Sequence, residues 1–139
     1  HPPSLSWYMA TVITQGTDVA IIACGEMVPY ALEAARILEK DGIRVGVVDM
    51  YCLKPLDEEA VLQYASRVKC LITVEEHSVY GGLGSMVAAV TAEKHPIKVK
   101  KIALPDGHLI PGSNTELFAY YGMDGAGIAE TVKKTLTEG

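Results

Sequence analysis

The sequence predicts an α/β protein built as a three-layer sandwich. Strand-like runs alternate with helix-like segments at regular spacing along its 139 residues. Three of the runs are almost continuously apolar and rich in β-branched residues, which is typical of strands covered on both faces, as in a parallel sheet. Such alternation implies right-handed β-α-β crossovers that place helices on both faces of one sheet.

The predicted strands are short and are bounded by Gly, Asp, Lys or Pro. They cover residues 18–24 (DVAIIAC), 44–49 (RVGVVD), 70–75 (CLITVE) and 99–104 (VKKIAL). Residues 9–14 (MATVIT) predict a fifth strand at an edge of the sheet, because this run is short and β-branched.

The predicted helices lie between and after these strands. In the segment 27–42, apolar residues share one face and charged residues another, Pro29 stands early, and Gly42 is placed to end the helix. Residues 56–65 carry acids in the first turn, where the helix dipole favours them. Three further helices are predicted at residues 85–95, 115–121 and 127–136.

Composition limits the possible partners. The chain has 12 Lys and Arg against 17 Asp and Glu, a formal net charge of -5, and no long run of like charge. Nucleic acid and anionic membrane surfaces are therefore not expected partners. Cys24, Cys52 and Cys70 lie in or beside apolar runs without metal-ligand spacing, which predicts buried thiols in a reducing, cytoplasmic compartment. We expect residues 1–9 to be a linker or tail and residues 10–139 to form one domain.

The stretch EEHSVYGGLGS at residues 75–85 concentrates the candidate chemistry. Gly82 and Gly84 match the first two glycines of a dinucleotide fingerprint, but Val87 occupies the third position, and the loop follows the third strand. A structural turn, with Ser85 or water capping the next helix, is the preferred interpretation. The alternative is an anion site at that helix start, as in a stand-alone nucleotide-binding module.

The EEH triplet is the second candidate. Glu75 and Glu76 are adjacent, so on a strand they point to opposite faces and cannot form a paired acid/base site. His77 follows a strand end, where ligands of α/β sheets usually bind, although a hydrogen-bonded structural histidine is the commoner case. We expect His95 and His108 to be exposed, and no metal site is predicted.

Several segments, in order, resemble the C-terminal domain of the transketolase family of thiamine-diphosphate enzymes. They are residues 18–50, KPLDEEAVLQYA, CLITVEEHSVYGGLGSMVAAV, and finally Gly112 with GMDGAGI. The matching family motif comprises Lys54, Pro55, Glu75, Glu76, His77, Gly81, Gly82, Gly84, Ser85 and Gly112. The resemblance implies a mixed five-stranded sheet with one antiparallel edge strand.

The same resemblance implies a function for the complete enzyme. It would transfer a two-carbon ketol unit between sugar phosphates, using thiamine diphosphate and a divalent metal held by partner pyrophosphate-binding and pyrimidine-binding domains or an N-terminal subunit. This domain would serve assembly of a homodimer or heterotetramer, bind no cofactor or metal alone and be inactive alone. His77 is the candidate for a side chain near the substrate approach. A purely oligomerising domain without any ligand role is the third possibility.

The EEH and GGLGS pattern is most similar to transketolases, including split forms. The alternatives are 1-deoxyxylulose-5-phosphate synthases, which tend towards GGFGS, and 2-oxoacid dehydrogenase β-subunits, which tend towards EEG. The chain departs from the family pattern after the fourth parallel strand, where His108 and Pro111 replace an aromatic residue and a serine. The departure leaves the substrate less defined than the family.

Overall fold

A computed structural model describes residues 9–51, 53–76, 82–105 and 114–138. One five-stranded sheet runs through the described chain, in the order β1-β3-β2-β4-β5. Strand β1 pairs antiparallel with β3 at one edge, and the other pairs are parallel. The strands are β1 (Thr11–Thr14), β2 (Val19–Ala23), β3 (Val45–Asp49), β4 (Cys70–Glu75) and β5 (Lys98–Ala103).

The three central strands are buried on both faces, as their continuous apolar character predicts. Every residue of β2 is buried. In β3 and β4 every residue is buried except the last, which is partly exposed. The edge strand β5 instead exposes lysines at positions 98, 100 and 101, a pattern that discourages pairing with another chain.

Five described helices cover the two faces of the sheet. A short 3-10 helix, Gly25–Met27, leads into α1. The helices are α1 (Val28–Lys40), α2 (Glu58–Ala65), α3 (Leu83–Lys94), α4 (Asn114–Tyr120) and α5 (Gly125–Thr137). Buried residues of α1, α4 and α5 join one hydrophobic cluster with Val19, Ile21 and Ile72 of the sheet. Buried residues of α2 and α3 join a second cluster with Ala20, Ile22 and Leu71 on the other face.

This arrangement confirms the predicted three-layer sandwich and the mixed, mostly parallel five-stranded sheet. The predicted edge strand is present as β1, and the other predicted elements are found with ends that differ by one or two residues. One shift of two residues bears on the candidate site: α3 begins at Leu83 and not at Ser85. None of the described helices is long and apolar enough to cross a membrane.

Candidate functional site at the carboxyl ends of the central strands

The carboxyl ends of β2, β3 and β4 meet at one edge of the sheet. Cys24 follows β2, Asp49 ends β3 and Glu75 ends β4. Strand β2 lies between β3 and β4, and the helices that follow β2 and β4 depart to opposite faces. In open α/β sheets this is the position where ligands usually bind.

Glu75 caps the N-terminal end of α3. Its Oε1 accepts a hydrogen bond from the backbone N–H of Leu83 at 3.0 Å, and its Oε2 accepts one from Gly84 at 2.8 Å. Both donors belong to the first turn of the helix, whose N–H groups have no partner within the helix. The carboxylate also lies at the positive end of the helix dipole. Glu75 is therefore a capping residue that joins the end of β4 to the start of α3.

The two glycines of the loop leave room for this contact. A Cβ atom at Gly82 would overlap the Glu75 carboxylate, and one at Gly84 would lie 2.7 Å from Thr73 Oγ1 and 2.8 Å from Lys101 Cγ. Gly82 and Gly84 thus permit close approach of α3 to the sheet. This geometry supports the structural interpretation of the GGLGS motif.

The predicted serine cap is wrong. Ser85 is the third residue of α3, and its hydroxyl lies 3.4 Å from Lys101 Nζ. The sequence predicts the start of the helix two residues late because the true cap, Glu75, is supplied by the preceding strand. A carboxylate already occupies the first amides of α3, so an anion such as a phosphate would have to displace it.

Two further described residues at this edge are Cys24 and Asp49. Burial raises the pKa of the Cys24 thiol, and the carboxylates of Glu75 and Asp49 raise it further. Burial also raises the pKa of Asp49. Since only the thiolate is nucleophilic, Cys24 is not activated at neutral pH. Within the described ranges, no group of three His, Cys, Asp or Glu side chains could hold a metal ion.

The KPLD turn has a structural role of its own. Asp57 is 1% exposed, and its carboxylate accepts hydrogen bonds from the backbone N–H of Ala60, at 3.1 Å, and of Ala10, at 2.9 Å. It therefore caps α2 and holds the chain just before β1. Lys54 and Pro55, joined by a cis peptide bond, lie beside an apolar groove at α3.

The structure brings together only part of the predicted site. Glu75, Gly82 and Gly84 form one contact, whereas Glu76 contributes its carbonyl oxygen to the N–H of Leu104 at 3.3 Å. The candidate His77, with Gly81, His108, Pro111 and Gly112, lies outside the described residues. His95 is exposed at the end of α3, as predicted. Cys70 is buried and Cys24 is partly exposed, both as free thiols, and Cys52 lies outside the described residues.

Sequence reasoning missed the capping roles of Glu75 and Asp57, and it missed Asp49. The signal for Asp49 was its position as the polar residue that ends a buried parallel strand. Asp57 directly precedes two acids and an apolar run, which is a usual N-cap pattern. No local signal marks Glu75, because its partners follow eight and nine residues later across a loop.

Comparison with known proteins identifies the family of the chain. Residues 9–128 match the family described as "Transketolase, C-terminal domain". The chain belongs to this family. A similar solved structure is described as "Split gene transketolase, inactive beta4 tetramer". It superposes with a TM-score of 0.85 at 43% identity and covers 93% of this chain and 42% of that one.

Two curated relatives represent different members of the transketolase group. A subunit of the apulose-4-phosphate transketolase of Phocaeicola vulgatus is 43% identical over 88% of this chain and 39% of the relative. The 1-deoxy-D-xylulose-5-phosphate synthase 1 of Geobacter sulfurreducens is 42% identical over 90% of this chain and 20% of the relative. The transketolase C-terminal domain described here thus spans less than half the length of these relatives.

The described residues at the carboxyl edge of the sheet do not fit thiamine diphosphate with its metal. A diphosphate needs cationic or amide donors, and the metal needs several oxygen ligands in fixed geometry. At the carboxyl edge of this transketolase C-terminal domain, the helix amides are capped by Glu75 and the neighbouring Asp49 would repel a diphosphate. We therefore assign no described residue to the cofactor.

Proposed function

We propose that this chain acts as the C-terminal domain, or as part of a C-terminal subunit, of a transketolase-type enzyme. The complete enzyme would transfer a two-carbon ketol unit between sugar phosphates with thiamine diphosphate and a divalent metal. Pyrophosphate-binding and pyrimidine-binding domains, or an N-terminal subunit, would hold the cofactor. The role of this chain would be assembly, in a cytoplasmic homodimer or heterotetramer. Membership of the family supports this proposal.

The proposed assembly role rests on the outer side of α3. A helix on the surface of a domain normally has one apolar side and one polar side. The central part of α3 is instead apolar all round: Val87 packs inward, while Met86, Ala89 and Val90 face a groove of about 440 Å³ between α3 and the KPLD turn. A second groove, of about 390 Å³, runs along the opposite flank past Ala88 and Ala92.

These grooves suit contact with another protein surface. Alanines on the outside of a helix allow a neighbouring element to approach closely, and two apolar depressions on either side provide places for its side chains. The first groove is lined mainly by apolar side chains, and Lys54 and Glu58 are its charged lining residues. A polar rim around an apolar centre is the usual anatomy of a protein interface.

A charge placed on this surface tests the proposal. In the complete enzyme, we expect Ala89→Glu to weaken assembly and to lower ketol transfer by at least about tenfold, because a buried unpaired carboxylate costs several kcal/mol at an interface. Size-exclusion chromatography with light scattering would measure assembly, and a coupled assay would measure transfer. The control is Ala119→Glu, the same change at an exposed position of α4.

Equal behaviour of the two variants would contradict the assembly role of α3. Ketol transfer by the isolated chain would contradict the proposal as a whole. The 42% identity to a 1-deoxy-D-xylulose-5-phosphate synthase favours a second candidate activity. Formation of 1-deoxy-D-xylulose 5-phosphate by the complete enzyme, without ketol transfer between sugar phosphates, would establish that candidate. His77 stays a predicted side chain near the substrate approach.

A further inference from the structure

A small basic pocket lies at the opposite end of the sheet from Glu75. Its volume is about 210 Å³. It is lined by Gln15, Gly16, Thr17, Arg44, Tyr64 and Arg67. The first three follow β1, Arg44 directly precedes β3, and the last two come from the end of α2 and the turn after it. The chain contains three arginines in total, and two of them line this one pocket.

One wall of the pocket is closely packed. Tyr64 is 3% exposed, and its hydroxyl donates to the carbonyl oxygen of Thr14 at 3.4 Å. Its ring packs against Gly46, where a Cβ atom would lie 2.7 Å from Tyr64 Cε1. At Gly16, a Cβ atom would overlap the backbone of Val45, so both glycines are needed for this close packing.

Both arginines start from fixed backbone positions. The N–H of Arg44 donates to Asp18 Oδ2 at 2.7 Å, and its carbonyl oxygen accepts from the N–H of Asp18 at 3.0 Å. The N–H of Arg67 donates to the carbonyl oxygen of Tyr64 at 2.9 Å, and its guanidinium lies 6.0 Å from the centre of the Tyr64 ring. Both arginines are exposed residues that line the pocket, Arg44 from the start of β3 and Arg67 from the turn after α2.

The local charge is positive on a chain whose net charge is -5. Asp18 is the nearby acid, and it is shared between Arg44 Nε at 3.6 Å and Lys69 Nζ at 3.9 Å. In the part of the chain that the structure describes, no carboxylate forms a salt bridge with Arg67. Arg44 and Lys69 therefore share one carboxylate, and Arg67 adds a further positive charge at the pocket.

We infer that this pocket binds a small phosphate monoester between Arg44 and Arg67. Guanidinium groups bind phosphate through paired, charge-assisted hydrogen bonds, and two of them can hold the oxygens of one phosphate from two sides. The pocket has a volume of about 210 Å³. The remaining space, beside Gln15 and Thr17, suits a short hydroxylated substituent.

Arginine side-chain NMR provides a direct test. The chain should show three Nε–Hε correlations, from Arg36, Arg44 and Arg67, and Arg36 is an exposed residue of α1 that serves as internal control. On titration with glycerol 3-phosphate at constant ionic strength, we expect the signals of Arg44 and Arg67 to shift saturably while that of Arg36 stays in place. Inorganic phosphate should bind more weakly by about tenfold or more, because it leaves part of the pocket empty.

Variants make the result decisive. Arg67→Gln and Arg44→Gln should each weaken glycerol 3-phosphate binding by at least about tenfold, whereas Arg36→Gln should leave it unchanged. Arg67→Gln is the cleaner variant, because Arg44 also pairs with Asp18. If all three arginine signals shift linearly with glycerol 3-phosphate concentration, the shifts reflect only general charge attraction, and the inference is overturned. Equal affinity for inorganic phosphate would overturn the assignment to a monoester.

Discussion

Among single side chains, Glu75 makes the most consequential contact at the candidate site. Its two oxygens accept from two successive amides of α3, so that one carboxylate satisfies two donors that would otherwise have no partner in the helix. The residue that sequence reasoning considered for acid/base chemistry thus has a structural explanation. The same explanation accounts for Gly82, whose missing side chain leaves space for the carboxylate.

Replacement of Glu75 should reduce stability. Glu75→Gln removes the charge and one of the two acceptors, so we expect the free energy of unfolding to fall by about 1–2 kcal/mol. Urea unfolding followed by circular dichroism would measure the change. Glu76→Gln is the matched control, the same substitution one residue later, and it should alter stability by less than about 0.5 kcal/mol. Similar losses in the two variants would argue against the cap.

Helix α3 is defined by how closely it approaches the sheet. Gly84 faces Thr73 of the central strand β4 and Lys101 of β5. Thr73 Oγ1 is buried and has no hydrogen-bond partner among the described residues. Because Thr73 lies in a strand paired on both sides, it cannot move away from a larger residue as easily as Lys101 can.

Enlarging Gly84 should therefore destabilise the protein although alanine is the better helix former. Gly84→Ala gains about 1 kcal/mol of helix propensity. It also places a Cβ atom 2.7 Å from Thr73 Oγ1, and such overpacking typically costs about 1–3 kcal/mol. We expect a net loss of stability, measured by thermal unfolding. The Thr73→Ala change should be more favourable to the free energy of unfolding, by at least about 1 kcal/mol, when it is made in the Gly84→Ala variant than when it is made alone. If Lys101→Ala restores the stability of the Gly84→Ala variant and Thr73→Ala does not, the lysine is the side chain that obstructs the new Cβ atom.

The elements of this fold were more predictable than their junctions. The central strands follow from β-branched runs, and α1 follows from its apolar face and the early Pro29, because these signals are local. The start of α3 is predicted too late, at Ser85, because its cap comes from a residue on another element. The basic pocket was not predicted for the same reason. Arg44 and Arg67 are distant in sequence, and only the sheet order brings their elements together.

For the molecule as a whole, the buried Cys70 and Tyr64 and the partly buried Cys24 shape its behaviour in alkaline solution. Burial raises the pKa of both Cys24 and Cys70 above the ordinary value of 9.0. Burial also raises the pKa of Tyr64 above 10.0, although the charge of Arg67 partly offsets this. Each group is neutral when protonated, and the folded state holds that proton more tightly than the unfolded chain.

Stability should consequently decline at high pH. Well below about pH 9 the thiols are protonated in both states and their contribution is constant. As the pH rises through about 9, the unfolded chain loses these protons before the folded state does, which stabilises the unfolded chain relative to the folded state. We expect the urea midpoint to fall as the pH rises through about 9. The Cys24→Ala/Cys70→Ala variant should show a shallower decline, whatever its starting stability. An identical slope in this variant would show that the thiols do not contribute.

The strand order has a consequence for how the chain reaches this structure. None of the five described strands pairs with its neighbour in sequence through a hairpin: β2 pairs with β3 and β4 only across intervening helices, and β1 pairs with β3 beyond β2. Because these pairs are distant in sequence, the chain loses the entropy of loop closure before the strand contacts stabilise it. Folding should therefore be slower than in a helical bundle of the same length. During synthesis, the central strand β2 cannot pair on both sides until the chain has been made as far as β4.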